Sequence, residues 1–156
     1  MVKQDYQIEI SNEKHIAKAI LKNQPISTKF SVELARELKG KRVDKAERFL
    51  KEVMTMESFL PLRKYRKKVG HRRGNSVSSV KTGRYPIKAA KVFLGLLDTV
   101  KANADYKGLD SENLIITHLF ASMGFRRISH QHQGRISGKM RRKKATHIEI
   151  VVREAK

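Results

Sequence analysis

Side chains able to move protons, hold metals or grip phosphate are spread unevenly along this sequence. His130-x-His132 is the one local histidine pair. A zinc-type site would need partners such as His71, His118 or His147, and no carboxylate or Cys lies near in sequence. We therefore expect no metal there, and nucleic-acid contacts instead. Carboxylates do not pair up within the basic stretches, where a nuclease would need them to hold Mg²⁺. The sequence also lacks a Walker motif, a glycine-rich dinucleotide fingerprint and a nucleophile elbow. No catalysis and no cofactor are expected. What remains is cationic chemistry, in which Arg forks and Lys ammonium groups pair with phosphate oxygens.

The cations are concentrated. Thirty-five Lys and Arg against fifteen Asp and Glu leave a formal charge of +20 over 156 residues, with a pI near 10.5. No acid occurs between Glu57 and Asp98, or between Glu112 and Glu149, and these two stretches carry nineteen of the twenty net charges. Concentrated like charge opposes compaction and draws in a polyanion. The remainder is nearly neutral, as in an ordinary folded body. No apolar run is long enough to span a membrane, the absence of Cys excludes a disulfide scaffold, and Met1-Val2-Lys3-Gln4-Asp5 carries no secretory apolar segment. The expectation is a cytoplasmic protein, one domain over residues 1–156.

Helical periodicity marks the elements that must position these cations. Phe30, Leu34 and Leu38 recur at fourfold spacing after a candidate cap, Ser27, and stop before Gly40. Asp44 and Glu47 read as a capping box opening a second helix with the stripe Ala46, Phe49, Leu50, Val53 and Met54. Tyr85-Pro86 opens a third, running through Ala89, Ala90, Phe93, Leu96, Leu97 and Val100 to about Tyr106, with Gly108 ending it. Strand signals are Leu114 to Phe120 and the alternating His147 to Val152. His15 to Ile20, closed by Pro25, reads as strand or irregular. The economical assembly is α+β, three helices packed on a small antiparallel sheet.

The two basic segments cannot bury cores of their own. Residues 124–146 carry only scattered hydrophobes, and if both flanking strands continue they form a long projecting β-hairpin turning near Gln133-Gly134. Its candidate RNA contacts are Arg126, Arg127, His130, His132, Gln133, Arg135, Lys139, Arg141, Arg142, Lys143 and Lys144. An isolated ribbon of this kind is marginal in water, and a disordered basic loop is the competing expectation. Residues 60–84 form a basic insertion in which Gly70, Gly74 and Gly83 with Asn75, Ser76, Ser78 and Ser79 argue against regular structure. Its candidate contacts are Arg63, Lys64, Arg66, Lys67, Lys68, His71, Arg72, Arg73, Lys81 and Arg84, and Tyr65 and His71 could stack on bases.

In order and spacing these residues resemble a known family. The run Ser27-Thr28-Lys29 through Ala35-Arg36-Glu37-Leu38-Lys39-Gly40-Lys41 to Phe49-Leu50 looks like its first helix pair. Gly83 to Ala90 with Asn103 to Asp110 looks like its central helix. Arg126-Arg127-Ile128, Gly134-Arg135-Ile136 and His147-Ile148-Glu149-Ile150 resemble its hairpin and closing strand. Together they are similar to the universal large-subunit ribosomal protein L twenty-two family, in the archaeal and eukaryotic branch, which carries an insertion matched here by Leu60 to Arg84. The resemblance implies a structural constituent of the large ribosomal subunit that binds its ribosomal RNA and assists assembly. It also implies a hairpin lining the nascent-peptide exit tunnel, with ribosomal proteins as neighbours. A free RNA chaperone or double-stranded RNA-binding module is the alternative.

Overall fold

A computed structural model describes residues 6–8, 15–74 and 78–155; Met1 to Asp5, and Asn75 and Ser76 of the insertion, lie outside the described residues. Strand β1 (Ile16–Gln24) leads into helices α1 (Thr28–Leu38) and α2 (Val43–Thr55). The short strands β2 (Leu60–Pro61) and β3 (Gly83–Arg84) bracket the insertion, and α3 (Ile87–Tyr106) follows. Strand β4 (Leu114–Met123), the hairpin strands β5 (Arg127–His130) and β6 (Met140–Lys143), and β7 (Thr146–Glu154) complete the order. The principal sheet is antiparallel, in the order β1-β7-β4. The stretch from His15 to Ile20 thus resolves as strand from Ile16 onward, and it continues to Gln24.

The alternation in β7 does what its pattern predicts: Ile148, Ile150 and Val152 are fully buried against the helices. There they join Leu34 and Leu38 of α1, Leu50 and Val53 of α2, and Phe93, Leu96 and Leu97 of α3 in one core cluster. The opposite face of β7 is covered too. Glu149 is buried there, with its carboxylate 2.9 Å from His118 Nε2 and accepting the Gln7 backbone N–H. Burial, and secondarily this carboxylate, raise the Tyr6 phenol above its ordinary pKa.

Three local expectations are corrected. Ser27 occupies the N-cap position of α1, but its side chain makes no capping bond. Helix α2 is capped by Arg42 and begins at Val43, so Asp44 and Glu47 are not a capping box. Both instead reach across to α3, where Lys101 Nζ lies 3.0 Å from Asp44 and 2.6 Å from Glu47. A tertiary cation has outcompeted the local cap. The insertion also has more order than its glycines suggest. It is closed by pairing of Leu60 with Arg84 and Pro61 with Gly83, by a Leu62 N–H to Thr82 carbonyl bond of 3.0 Å, and by a bridge between His71 and Thr82.

Burial alone would lower the Lys101 pKa, but the hydrogen bonds to Glu47 and Asp44 outweigh it and raise it above 10.5. The stability contributed by this triad is therefore fully present below that pH and is lost as pH climbs through the raised value. Lys101→Met is expected to lower stability by about 0.5–1 kcal/mol, because the cation is partly solvated. In thermal melts the gap between the two proteins should hold steady below about pH 9 and close above the ordinary lysine range. A gap undiminished at the highest pH the fold survives would contradict this account.

Candidate nucleic-acid interface

The hairpin is a continuation of the sheet, with one fault in its register. Met123 pairs with Thr146, and Gly124 N–H donates to the Ala145 carbonyl at 2.9 Å. The next ladder opens at Arg127 opposite Lys143, so the outgoing arm has taken one residue more than the returning arm. Such an extra residue bends and twists a ribbon. The pairing then runs to His130–Met140, and Gln131 N–H donates to the Lys139 carbonyl at 3.0 Å. The reversal therefore centres on Arg135 rather than on Gln133-Gly134, because a wide loop closed by a 2.9 Å bond from Ser137 N–H to the Gly134 carbonyl replaces a tight two-residue turn.

Pairing sorts the hairpin side chains by face. Ile128, His130, Met140 and Arg142 share one face, and Arg127, Ser129, Arg141 and Lys143 the other. Arg127 sits directly opposite Lys143, a like-charge pair that weakens the ladder in water. The same pair becomes favourable once a phosphate lies between its members. Ile128, Ile136 and Met140 are exposed, as is Phe125 at 72%.

The hairpin root is fastened by a residue that no motif or spacing singles out. Asn23, at the end of β1, donates its N–H to His147 Nδ1 at 3.1 Å and accepts the Phe125 N–H on Oδ1 at 3.0 Å. Gly124 permits this contact. A Cβ there would stand 2.7 Å from Asn23 Oδ1 and 3.2 Å from the Ala145 carbonyl carbon.

The insertion is held by the acids of α1. Glu33, only 2% exposed, accepts backbone N–H groups from Lys64 and Tyr65 on Oε1, each at 2.6 Å, and from Arg63 on Oε2 at 3.3 Å. Glu37 takes the Arg63 guanidinium at 3.2 Å and Lys41 at 2.8 Å. Further in, Arg66 lies over the Phe30 ring and Arg72 over Tyr85. Arg84 donates to the carbonyls of Gly70 and Gly83. These arginines are oriented by the protein itself. Tyr65 has Lys29 and Lys64 over its ring, 5.8 and 5.6 Å from the centroid.

All the candidate contact residues of both segments are exposed except Arg84, which is half-buried. The two segments meet at the N-terminal end of α1. Lys29 touches Tyr65 of the insertion on one side and, on the other, lines a cavity with Arg126, Arg142, Lys143 and Lys144 of the hairpin root. His132, Gln133, Arg135 and Lys139 lie apart from this junction, in or beside the reversal. Among the described residues no group of His, Cys, Asp or Glu is placed to hold a metal, and His130 and His132 acquire no third ligand. No described helix is long and apolar enough to cross a membrane.

Lys29, Asn23, Glu33 and Glu37 are the site residues that the linear reading missed. Only the last two left a signal: two acids four apart on one helix, in a chain whose basic stretches contain none.

Residues 19–153 match the family described as Ribosomal protein L22p/L17e. The large ribosomal subunit protein uL22 of Hyperthermus butylicus is 46% identical over 152 residues, covering 96% of this chain and 96% of that protein. That of Archaeoglobus fulgidus is 39% identical over 153 residues, covering 97% and 96%. That of Methanocaldococcus jannaschii is 38% identical over 156 residues, covering 99% and 97%.

Proposed function

Since this chain belongs to the ribosomal protein L22p/L17e family, a non-enzymatic constituent of the large ribosomal subunit, we propose that it binds large-subunit ribosomal RNA through its two acid-free segments and assists subunit assembly. The hairpin lines the path of the nascent polypeptide, neighbouring ribosomal proteins complete its surroundings, and its place is the cytoplasmic ribosome. The observation that carries this reading is the convergence of the insertion and the hairpin root on the first turn of α1, with nearly every candidate cation exposed.

The physical role follows from charge and shape. Exposed, acid-free arms are self-repelling alone and neutralised when threaded among phosphates. Glu33 and Asn23 fix the roots of the arms, so the body sets where the cations enter RNA while RNA completes the order of what lies beyond. The mixed face of the hairpin, with Ile128 and Met140 beside His130 and Arg142, suits bases and sugars; its cationic face suits phosphates.

Arg127→Ala with Arg135→Ala is expected to weaken binding to a large-subunit RNA transcript about tenfold and to reduce the salt slope by about 0.7–0.9 per lost phosphate contact. Unchanged affinity, slope and assembly in the double variant would sink this assignment. The function itself is tested by sedimenting lysate and stripping the fractions with salt. Stoichiometric presence in large subunits, resistant to moderate salt, is the expected result. Presence only at the top of the gradient would replace it with a free RNA chaperone.

A further inference from the structure

The first turn of α1 and the root of the hairpin enclose a cavity of about 230 Å³, lined by Thr28, Lys29, Arg126, Arg142, Lys143 and Lys144 among others, and by no acid. The five cations come from three parts of the chain: the body, the outgoing arm and the returning arm. Folding has therefore gathered five exposed like charges around one open cleft, where their fields add. The acids of α1 do not offset those charges, since Glu33 and Glu37 are engaged by the insertion and by Lys41. The first turn of α1 reinforces the cations, for it contains no acid and its cap side chain takes none of the first-turn N–H groups.

Resting on the RNA-binding reading above, we infer that this cavity is a phosphate site that seats one backbone phosphate of the bound RNA, with Lys29 of the body among its ligands. This extends the interface beyond the two acid-free segments. The surroundings favour a polymer over a free anion. A second cavity of about 250 Å³ lies farther along α1 and β4, lined by Arg36 of α1, Lys39 at its C-terminal cap and Phe120 of β4 among others. Phe120 is 42% exposed. A strand leaving the phosphate site thus meets an exposed ring for a base and two further cations.

The test uses the full chain and a large-subunit ribosomal RNA transcript. Lys29→Gln combined with Lys144→Gln keeps the aliphatic stems of two exposed residues and relieves like-charge repulsion, so the melting temperature should not fall. Affinity should fall roughly threefold to tenfold, the salt slope should shrink by about 0.7–0.9, and one phosphate should drop out of the ethylation-interference pattern. Lys45→Gln, on the exposed face of α2, should change none of these. An unchanged slope and pattern, while Arg127→Ala with Arg135→Ala still weakens binding, would overturn the phosphate site and leave the RNA-binding reading standing. Amide shifts at Thr28, Lys29 and Phe30 produced by inorganic phosphate but not by the transcript would overturn it in favour of a free-anion site. A transcript that none of the proteins retains would overturn both.

Discussion

Glu33→Ala is expected to lower unfolding free energy by about 2–4 kcal/mol and to release the start of the insertion. The carboxylate is 2% exposed and accepts three consecutive backbone N–H groups, from Arg63, Lys64 and Tyr65. Each bond to a charged acceptor contributes about 1.5–3 kcal/mol, but water can reach this exposed loop and recover part of the loss. Alanine removes every acceptor at once and leaves Glu37, which takes the Arg63 guanidinium, as the buried carboxylate still facing the beginning of the acid-free stretch. Glu33→Gln should cost less, about 1–2 kcal/mol. Its amide oxygen can still serve Lys64 and Tyr65, while its NH₂ would oppose the Arg63 donor. Denaturant unfolding measures the loss, and amide exchange at residues 63–65 reports where it falls. RNA affinity should drop as well, although Glu33 faces away from solvent, because the cations after it lose their fixed origin. Wild-type stability with unaltered exchange at those amides would refute the anchoring role.

The second large effect is expected at Gly83→Ala, at about 3 kcal/mol or more. Gly83 lies in β3 opposite Pro61, and its surroundings leave no room for a methyl group. An added Cβ would collide with the Phe59 ring and stand 2.9 Å from the Leu60 carbonyl oxygen. Phe59 and Leu60 are both essentially fully buried, so neither can swing away. Truncating the obstruction should therefore rescue the variant. Phe59→Leu alone should cost about 1–2 kcal/mol through the space it leaves, yet together with Gly83→Ala it should cost less than the two losses added. A double-mutant cycle reads this coupling directly. Simple additivity would show that the methyl is accommodated some other way.

Gly83 also shows why the insertion was only partly legible. By composition it joins Gly70 and Gly74 in a stretch unsuited to regular structure, yet it is a close-packing glycine in a two-residue strand. Composition records that a residue is small, and not whether a ring lies against it. Asp44 and Glu47 teach the same lesson. Their spacing matches a capping box, but Lys101, distant in sequence, is the stronger partner for both. Helix α3, by contrast, starts and stops where Pro86 and Gly108 predict, since those signals act within one turn of backbone.

Fold class and the clustering of charge are legible along the chain. Helical and strand periodicities mark which faces must be buried, and the net charge is confined to two acid-free stretches that a polyanion would suit, because both properties are carried by residues close together in the chain. How those stretches are anchored depends on contacts between residues distant in sequence. The fold brought the insertion and the hairpin root together at Lys29, tied them down with Glu33 and Asn23, and moved the hairpin reversal to Arg135. Each of these depends on which distant donor or acceptor reaches a group first, and that competition is settled by packing.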